Sequence, residues 1–210
     1  MDMAGAARRF GSETSKTRDV LLDCVEKLML EEGYAAVTFR AVAMKAEVTP
    51  GLVQYYFRTL DGIFSAAIRR YSERNIRYLT KALDVPTEDL LRVIWEYSWD
   101  EAASALTTEF MALGNHRKSV RAEIAEATER VRKLQLDALQ KNFDGRGPFG
   151  DDLPPGAILL LISGIPKILE LEESVGVHTA HQELVDAFER YLGTTGSARP
   201  RKGAARRRGR

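Results

Sequence analysis

TFRAVAMKAEVTPGLVQYYF, residues 38–57, predicts two short helices joined by a tight turn. In its first half the apolar residues Phe39, Val42, Ala43 and Ala46 recur at spacings of three, four and seven, which places them on one face of a helix. A short helix with one apolar face buries that face against a neighbour, so we expect the second helix to pack against the first.

The second helix of this stretch carries a start signal. Thr49 offers a hydroxyl N-cap, and Pro50 takes the first helical position, where its missing N–H costs nothing. Val53 and Phe57, four residues apart, are expected to face the first helix. The remaining side chains carry little charge and many hydrogen-bonding groups, which suits the major groove of DNA. They are Thr49, Gly51, Leu52, Gln54, Tyr55 and Tyr56. The pattern is a helix-turn-helix and predicts a DNA-binding regulator.

The same region resembles the DNA-binding head of TetR-family transcriptional regulators. In that family a glycine and an aromatic residue are followed by a threonine that opens the second helix. An Ala-Gly-Val-Ser-like turn and Gly-x-Leu-Tyr-Tyr-His-Phe complete the motif. The corresponding residues here are Gly33-Tyr34, Thr38, Ala46-Glu47-Val48-Thr49 and Gly51-Leu52-Val53-Gln54-Tyr55-Tyr56-Phe57. At motif level the resemblance covers roughly residues 15 to 75, and beyond them only length and helix order match.

The resemblance implies roles for the residues that the two helices expose. Thr38 and Thr49 would cap helices whose N-termini point at phosphates, since backbone N–H groups there favour anions. Tyr55 and Tyr56 would contact phosphates or thymine methyl groups. Gln54 is the best candidate for reading a base, because its amide pairs with N6 and N7 of adenine.

Two positions depart from the family pattern. Glu47 replaces the turn glycine, the residue that most easily takes a positive φ. Leu60 replaces a lysine that faces a phosphate in the family, and Arg58 is the candidate to supply that contact instead. Arg40 stands where family members often place a base or phosphate contact, the alternative being an ordinary solvated charge. The predicted DNA-binding residues are therefore Thr38, Arg40, Thr49, Pro50, Gly51, Leu52, Gln54, Tyr55, Tyr56 and Arg58.

Helical patterns along the chain predict an all-α protein of about nine helices, and the resemblance implies a three-helix head followed by a larger helical body for ligand binding and dimerisation. We expect a flexible basic arm at residues 1–14, the helix-turn-helix domain at 15–60, and a ligand-binding and dimerisation body at 61–193. Residues 194–210, with seven basic and no acidic residues, are expected to be a disordered tail. Among the body helices we expect one over Arg117–Phe143 and a last one opened by a capping box at Thr179–Gln182.

Candidate body residues follow from the same resemblance. Trp95, Trp99, Phe110 and Met111 are candidates for lining a ligand pocket, although aromatic residues at helical spacing are usually core. The last two helices would form the homodimer interface, one of them apolar nearly all round in its first half. The candidate interface residues are Leu160, Ile165, Leu184, Phe188 and Tyr191.

Several other functions find little support in the sequence. We expect no membrane span, no signal peptide, no metal, no cofactor and no enzymatic motif. The single cysteine, Cys24, fits a core position in a cytoplasmic protein, with redox sensing as the alternative. His178 and His181 lie three residues apart, but without a third ligand nearby helix capping is the better interpretation.

The sequence therefore predicts a homodimeric repressor that a small, mostly apolar molecule releases from a pseudo-palindromic operator. The alternative is a ligand-free architectural or protein-interaction module whose body is solid core and whose basic tail does most of the DNA binding.

Overall fold

The computed structural model describes residues 16–103, 105–143 and 153–195. These ranges contain nine α-helices and no strand, which confirms the predicted all-α class. The helices are α1 (Lys16–Glu32), α2 (Phe39–Lys45), α3 (Pro50–Tyr56), α4 (Leu60–Ala82), α5 (Thr87–Ala103), α6 (Leu106–His116), α7 (Arg121–Asn142), α8 (Pro155–Glu173) and α9 (His181–Thr195). The predicted basic arm and residues 196–210 of the predicted tail lie outside the described residues.

The helix predicted over residues 117–143 begins four residues later than expected. Arg117 is extended (φ −114°, ψ 96°), and Lys118–Val120 form a 3-10 turn before α7 starts at Arg121. The Val120 N–H donates to the Arg117 carbonyl oxygen at 3.3 Å, which closes that turn. Helical periodicity alone does not distinguish this tight turn from a first α-helical turn.

The predicted capping box at the last helix is wrong. α9 begins at His181, two residues beyond Thr179. Ala180 takes a positive φ of 66°, so the α-helix cannot extend back through it.

Two apolar cores hold the helices together, and α4 contributes to both. The first core combines α1–α3 with the first half of α4, with α6 and with the start of α7; Val25, Val53, Phe64 and Leu113 are central members. The second core lies among the far end of α4, α5, α7, α8 and α9. The boundary predicted at residue 60 therefore separates head and body along the chain, but the two share a core.

Candidate DNA-binding surface and body cavity

The helix-turn-helix is built on a short turn between α2 and α3. The Thr38 hydroxyl accepts a hydrogen bond from the Ala41 N–H at 3.0 Å, which confirms its predicted N-cap role for α2. Thr49 is the N-cap residue of α3 by position, but its side chain makes no capping bond. Instead the Leu52 N–H donates to the Thr49 carbonyl oxygen at 3.0 Å.

Glu47 occupies the turn position in the left-handed region, with a φ of 55°. The Val48 N–H donates to the Ala43 carbonyl oxygen at 2.9 Å, and the Glu47 N–H donates to that of Met44 at 3.3 Å. These two bonds are the Schellman pattern that ends a helix, and glycine is its usual left-handed residue. The backbone keeps the geometry although the sequence lacks the glycine, at a cost in conformational strain.

α3 is fixed to the head by its inner side chains and presents its outer ones. Val53 is fully buried and Phe57 is 3% exposed, both inside the first core. The Arg18 guanidinium lies 5.1 Å from the centre of the Phe57 ring, which it covers from α1. The helix therefore cannot turn about its axis without exposing Val53.

The predicted DNA-contact residues lie largely on the outer side of this motif. Tyr55 is 44% exposed, and its ring meets that of Tyr56 edge-on with 5.3 Å between centroids. Leu52 and Tyr56 are half-buried. The exposed members are Thr38, Arg40, Thr49, Pro50, Gly51, Gln54, Tyr55 and Arg58. This surface gathers an amide, a phenol, two aliphatic hydroxyls and two guanidinium groups on and beside one short helix.

α6 and the residue that follows it contact both the head and the start of α4. The Tyr34 N–H, just before α2, donates to Oε2 of Glu109 at 2.8 Å, and the Tyr34 ring stacks on His116 with 5.8 Å between centroids. Directly after α6, Arg117 donates to Asp61 at 2.7 Å. Hydrogen bonds from the Ser119 side chain and from Arg117 hold the pKa of Asp61 below its usual value.

A cavity of about 60 Å³ lies within the body, between α4, α5, α6, α7 and α8. Phe110 and Met111, both candidates from the sequence, line it together with Ile68, Ile124 and Val131. Trp95 and Trp99 do not line it. Trp95 is buried in the second core, stacked on Phe188 at 4.7 Å, and its indole N–H donates to Glu189 at 3.1 Å. Trp95 is therefore a core residue rather than part of the cavity wall.

The cavity also holds polar groups that the sequence did not single out. Lys167 pairs with Glu101 at 2.9 Å, and the Thr107 hydroxyl donates to the same carboxylate at 3.0 Å. Tyr71 lies 3.0 Å from that hydroxyl and is the donor, since the Thr107 hydrogen is directed at Glu101. Gln135 is only 4% exposed, and its Nε2 has no hydrogen-bond partner among the described residues. A buried amide donor without a partner is costly unless something in the cavity accepts from it.

The outer face of α8 is unusually apolar. Leu160 is 52% exposed, and Leu161, Ile168 and Leu171 are also largely exposed. From α9, Leu184 is 40% exposed. Of the other candidate interface residues, Ile165 and Phe188 pack partly against the second core, and Tyr191 is half-buried. Contiguous exposed apolar residues of this kind typically mark an interaction surface.

Cys24 lies on α1 and is 7% exposed, as expected for a core residue. Burial is the main reason that the pKa of its thiol is raised. The Cys24 thiol is therefore less reactive at neutral pH than the thiol of a solvent-exposed cysteine. Of the helices in the described ranges, none is both long and apolar enough to cross a membrane.

The motif and the body together define a helix-turn-helix protein with an all-helical, cavity-containing body. Residues 21–67 match the family model of bacterial regulatory proteins of the tetR family. The chain is 24% identical over 140 residues to the HTH-type transcriptional repressor BepR of Brucella suis, covering 63% of this chain and 65% of that one. It is 29% identical over 83 residues to the HTH-type transcriptional regulator HbdR of Aromatoleum sp., covering 38% and 36%. The chain thus aligns with less than two thirds of either relative.

The fold extends the likeness beyond the head. The crystal structure of reduced E. coli NemR superimposes with a TM-score of 0.66 at 19% identity, over 85% of this chain and 98% of that one. Residues 21–67 are thus similar to the DNA-binding head of tetR-family regulators, and the fold of the described residues is similar to that of NemR. The matched head, together with two relatives named as HTH-type transcription regulators, indicates a DNA-binding protein.

Proposed function

We propose that the chain is a homodimeric repressor that binds an inverted-repeat operator and is released when a small, largely apolar molecule fills the body cavity. The observation that carries the proposal is the outer face of α3. Gln54 and Tyr55 are exposed on a helix whose Val53 is fully buried, so their direction relative to the head is fixed. A fixed helix with an exposed amide suits base reading in the major groove.

The apolar face of α8 and α9 supports the dimer. A second copy placed on this face would cover Leu160, Ile168, Leu171 and Leu184, which are largely exposed in the single chain. A two-fold dimer would then present two α3 helices to half-sites one DNA turn apart, about 34–36 Å. An operator with inverted symmetry follows from that arrangement.

The size of the cavity suggests how a ligand would act. Its volume of about 60 Å³ is well below the roughly 300–1,000 Å³ of typical ligand pockets. A ligand of more than a few atoms would have to displace the surrounding helices, among them α4 and α6, which both contact the head. Release from DNA would follow in proportion to the ligand's preference for the displaced arrangement.

The polar lining refines the expected ligand. The apolar part of the ligand would contact Phe110, Ile124 and Val131, and one hydrogen-bond acceptor of the ligand would accept from the Nε2 of Gln135. A second polar group of the ligand would contact the ion pair of Lys167 and Glu101. We place this activity in the cytoplasm, where an operator is accessible.

Selection from random duplex DNA by the purified full chain, at about 150 mM salt, tests the proposal. We expect an enriched inverted repeat, with an affinity that survives deletion of residues 197–210. Binding without any enriched sequence, lost on deleting that basic segment, would refute it and favour the architectural module. A size measurement on the free protein tests the dimer separately, with Leu160→Lys expected to yield monomers and the exposed Glu126→Lys as its control.

A further inference from the structure

A group of possible metal ligands lies at the turn between α8 and α9. The side chains of Glu173, His178 and His181 bring one ligand atom each to within 4.8 Å of one another. The sequence offered two histidines three residues apart and no obvious third ligand. The fold supplies that ligand, because the side chain of Glu173, the last residue of α8, contacts that of His181, the first residue of α9.

One of the three separations already suits a tetrahedral ion. Zinc bound at about 2.0–2.1 Å by nitrogen and oxygen holds its ligand atoms about 3.3–3.4 Å apart. Nδ1 of His181 lies 3.4 Å from Oε1 of Glu173, so these two atoms already have that separation. His178 completes the group from the exposed stretch before α9, with its ring edge-on to that of His181 at 6.2 Å between centroids. Its ligand atom lies within 4.8 Å of the other two, and a bound ion would draw it closer.

The second ring nitrogen of His181 is held in the way a metal ligand requires. Its Nε2 lies 2.7 Å from Oε2 of Glu172, and the residue is only 7% exposed. A histidine that binds a metal almost always donates its other N–H to a carboxylate, which fixes the tautomer and the direction of the ring. With the proton on Nε2, the Nδ1 lone pair is directed toward Glu173.

We propose that Glu173, His178 and His181 bind a divalent transition-metal ion of the zinc type, with Glu172 as the outer partner and the fourth position open to water. Two imidazoles and one carboxylate suit zinc, whereas calcium and magnesium prefer oxygen ligands alone. The ion would fasten the first turn of α9 to the last turn of α8. Metal binding would thereby restrain the hairpin that carries the exposed apolar face.

Ion pairing is the competing explanation, and His178 separates the two. The pairs from His181 to Glu172 and Glu173 form without His178 and need no metal. A metal site requires all three ligands, so removing an exposed imidazole weakens metal binding while the ion pairs remain.

Calorimetric titration of the metal-free full chain with zinc chloride provides the test. We expect one ion per chain, bound at least tenfold more weakly by His178→Ala and by Glu173→Gln. Glu172→Gln should weaken binding by about 10–100-fold if that carboxylate orients the ring. His116→Ala is the matched control, because it removes the remaining histidine of the chain from a place far from this turn in sequence.

A second readout guards against unfolding of the variants. Zinc should raise the melting temperature of the wild type and of His116→Ala, and leave that of His178→Ala unchanged. Circular dichroism without metal should be the same for all three proteins. No zinc binding at micromolar concentration, or equal binding by His178→Ala and the wild type, would overturn the site.

Discussion

Replacing Glu109 by alanine tests how the head is held against the body. The carboxylate accepts a hydrogen bond from the Tyr34 N–H at 2.8 Å in a half-buried position, across 75 residues of chain. A hydrogen bond to a charged group contributes about 1.5–3 kcal/mol, and its loss leaves the Tyr34 N–H without that acceptor. We therefore expect Glu109→Ala to lower the free energy of unfolding by about 1.5–3 kcal/mol.

Glu109→Gln should lose about half as much, because its amide oxygen still accepts from the N–H but without the charge. Urea unfolding followed by circular dichroism measures both losses from the transition midpoint and its slope. Glu126→Ala, at an exposed position on α7, is the matched control and should change stability by less than about 0.5 kcal/mol. A loss for Glu109→Ala no larger than this control would refute the role assigned to the contact.

Four further outcomes are expected. Gln54→Ala should relax operator preference at one base pair per half-site, costing about 1–3 kcal/mol in binding assays against operator variants; an unchanged ranking of variants would rule out Gln54 as the reader. Glu47→Gly should raise the free energy of unfolding by up to about 1 kcal/mol, because glycine removes the strain of the left-handed φ of 55°. The greater entropy of the unfolded glycine variant offsets only part of this gain, and a loss of stability in urea would contradict the prediction. Gln135→Met should stabilise the ligand-free chain by about 1–2 kcal/mol in the same assay by removing a buried donor without a partner, and a destabilised variant would indicate that the amide is satisfied. Asp61 has a lowered pKa in the folded chain, so its contribution is present above the pKa of the unfolded state and is lost as pH falls through the folded value. Asp61→Asn should thus destabilise at pH 7 and have no effect at low pH, and equal losses at both would exclude the charge as the cause.

The features that depend on neighbouring residues were predictable from the sequence. The Thr38 cap and the Thr49-Pro50 start define α2 and α3 within one or two residues, because caps and periodicity act locally. The sequence also showed that Glu47 replaces the turn glycine. It did not show that two Schellman hydrogen bonds keep the turn in place without that glycine. The capping box predicted for the last helix was wrong, because Ala180 takes a positive φ and α9 begins only at the next residue.

The features assembled from distant helices were not predictable. Trp95 and Phe110 are both aromatic residues on amphipathic helices, yet only Phe110 lines the cavity. The pairing of Glu101 with Lys167 joins α5 to α8, across 66 residues of chain. No spacing rule relates such positions, since their proximity depends on how the helices cross.

The shared first core limits how far the helix-turn-helix head behaves as an exchangeable module. Phe110, Leu113 and Ile124 from the body complete the apolar packing around α1 and α4. A fragment ending at residue 60 would expose that packing to water, and a chimaera with another regulator would have to match it. If the proposed function holds, new operator preferences are therefore more readily obtained by changing outward side chains of α3, such as Gln54, than by transplanting a whole head.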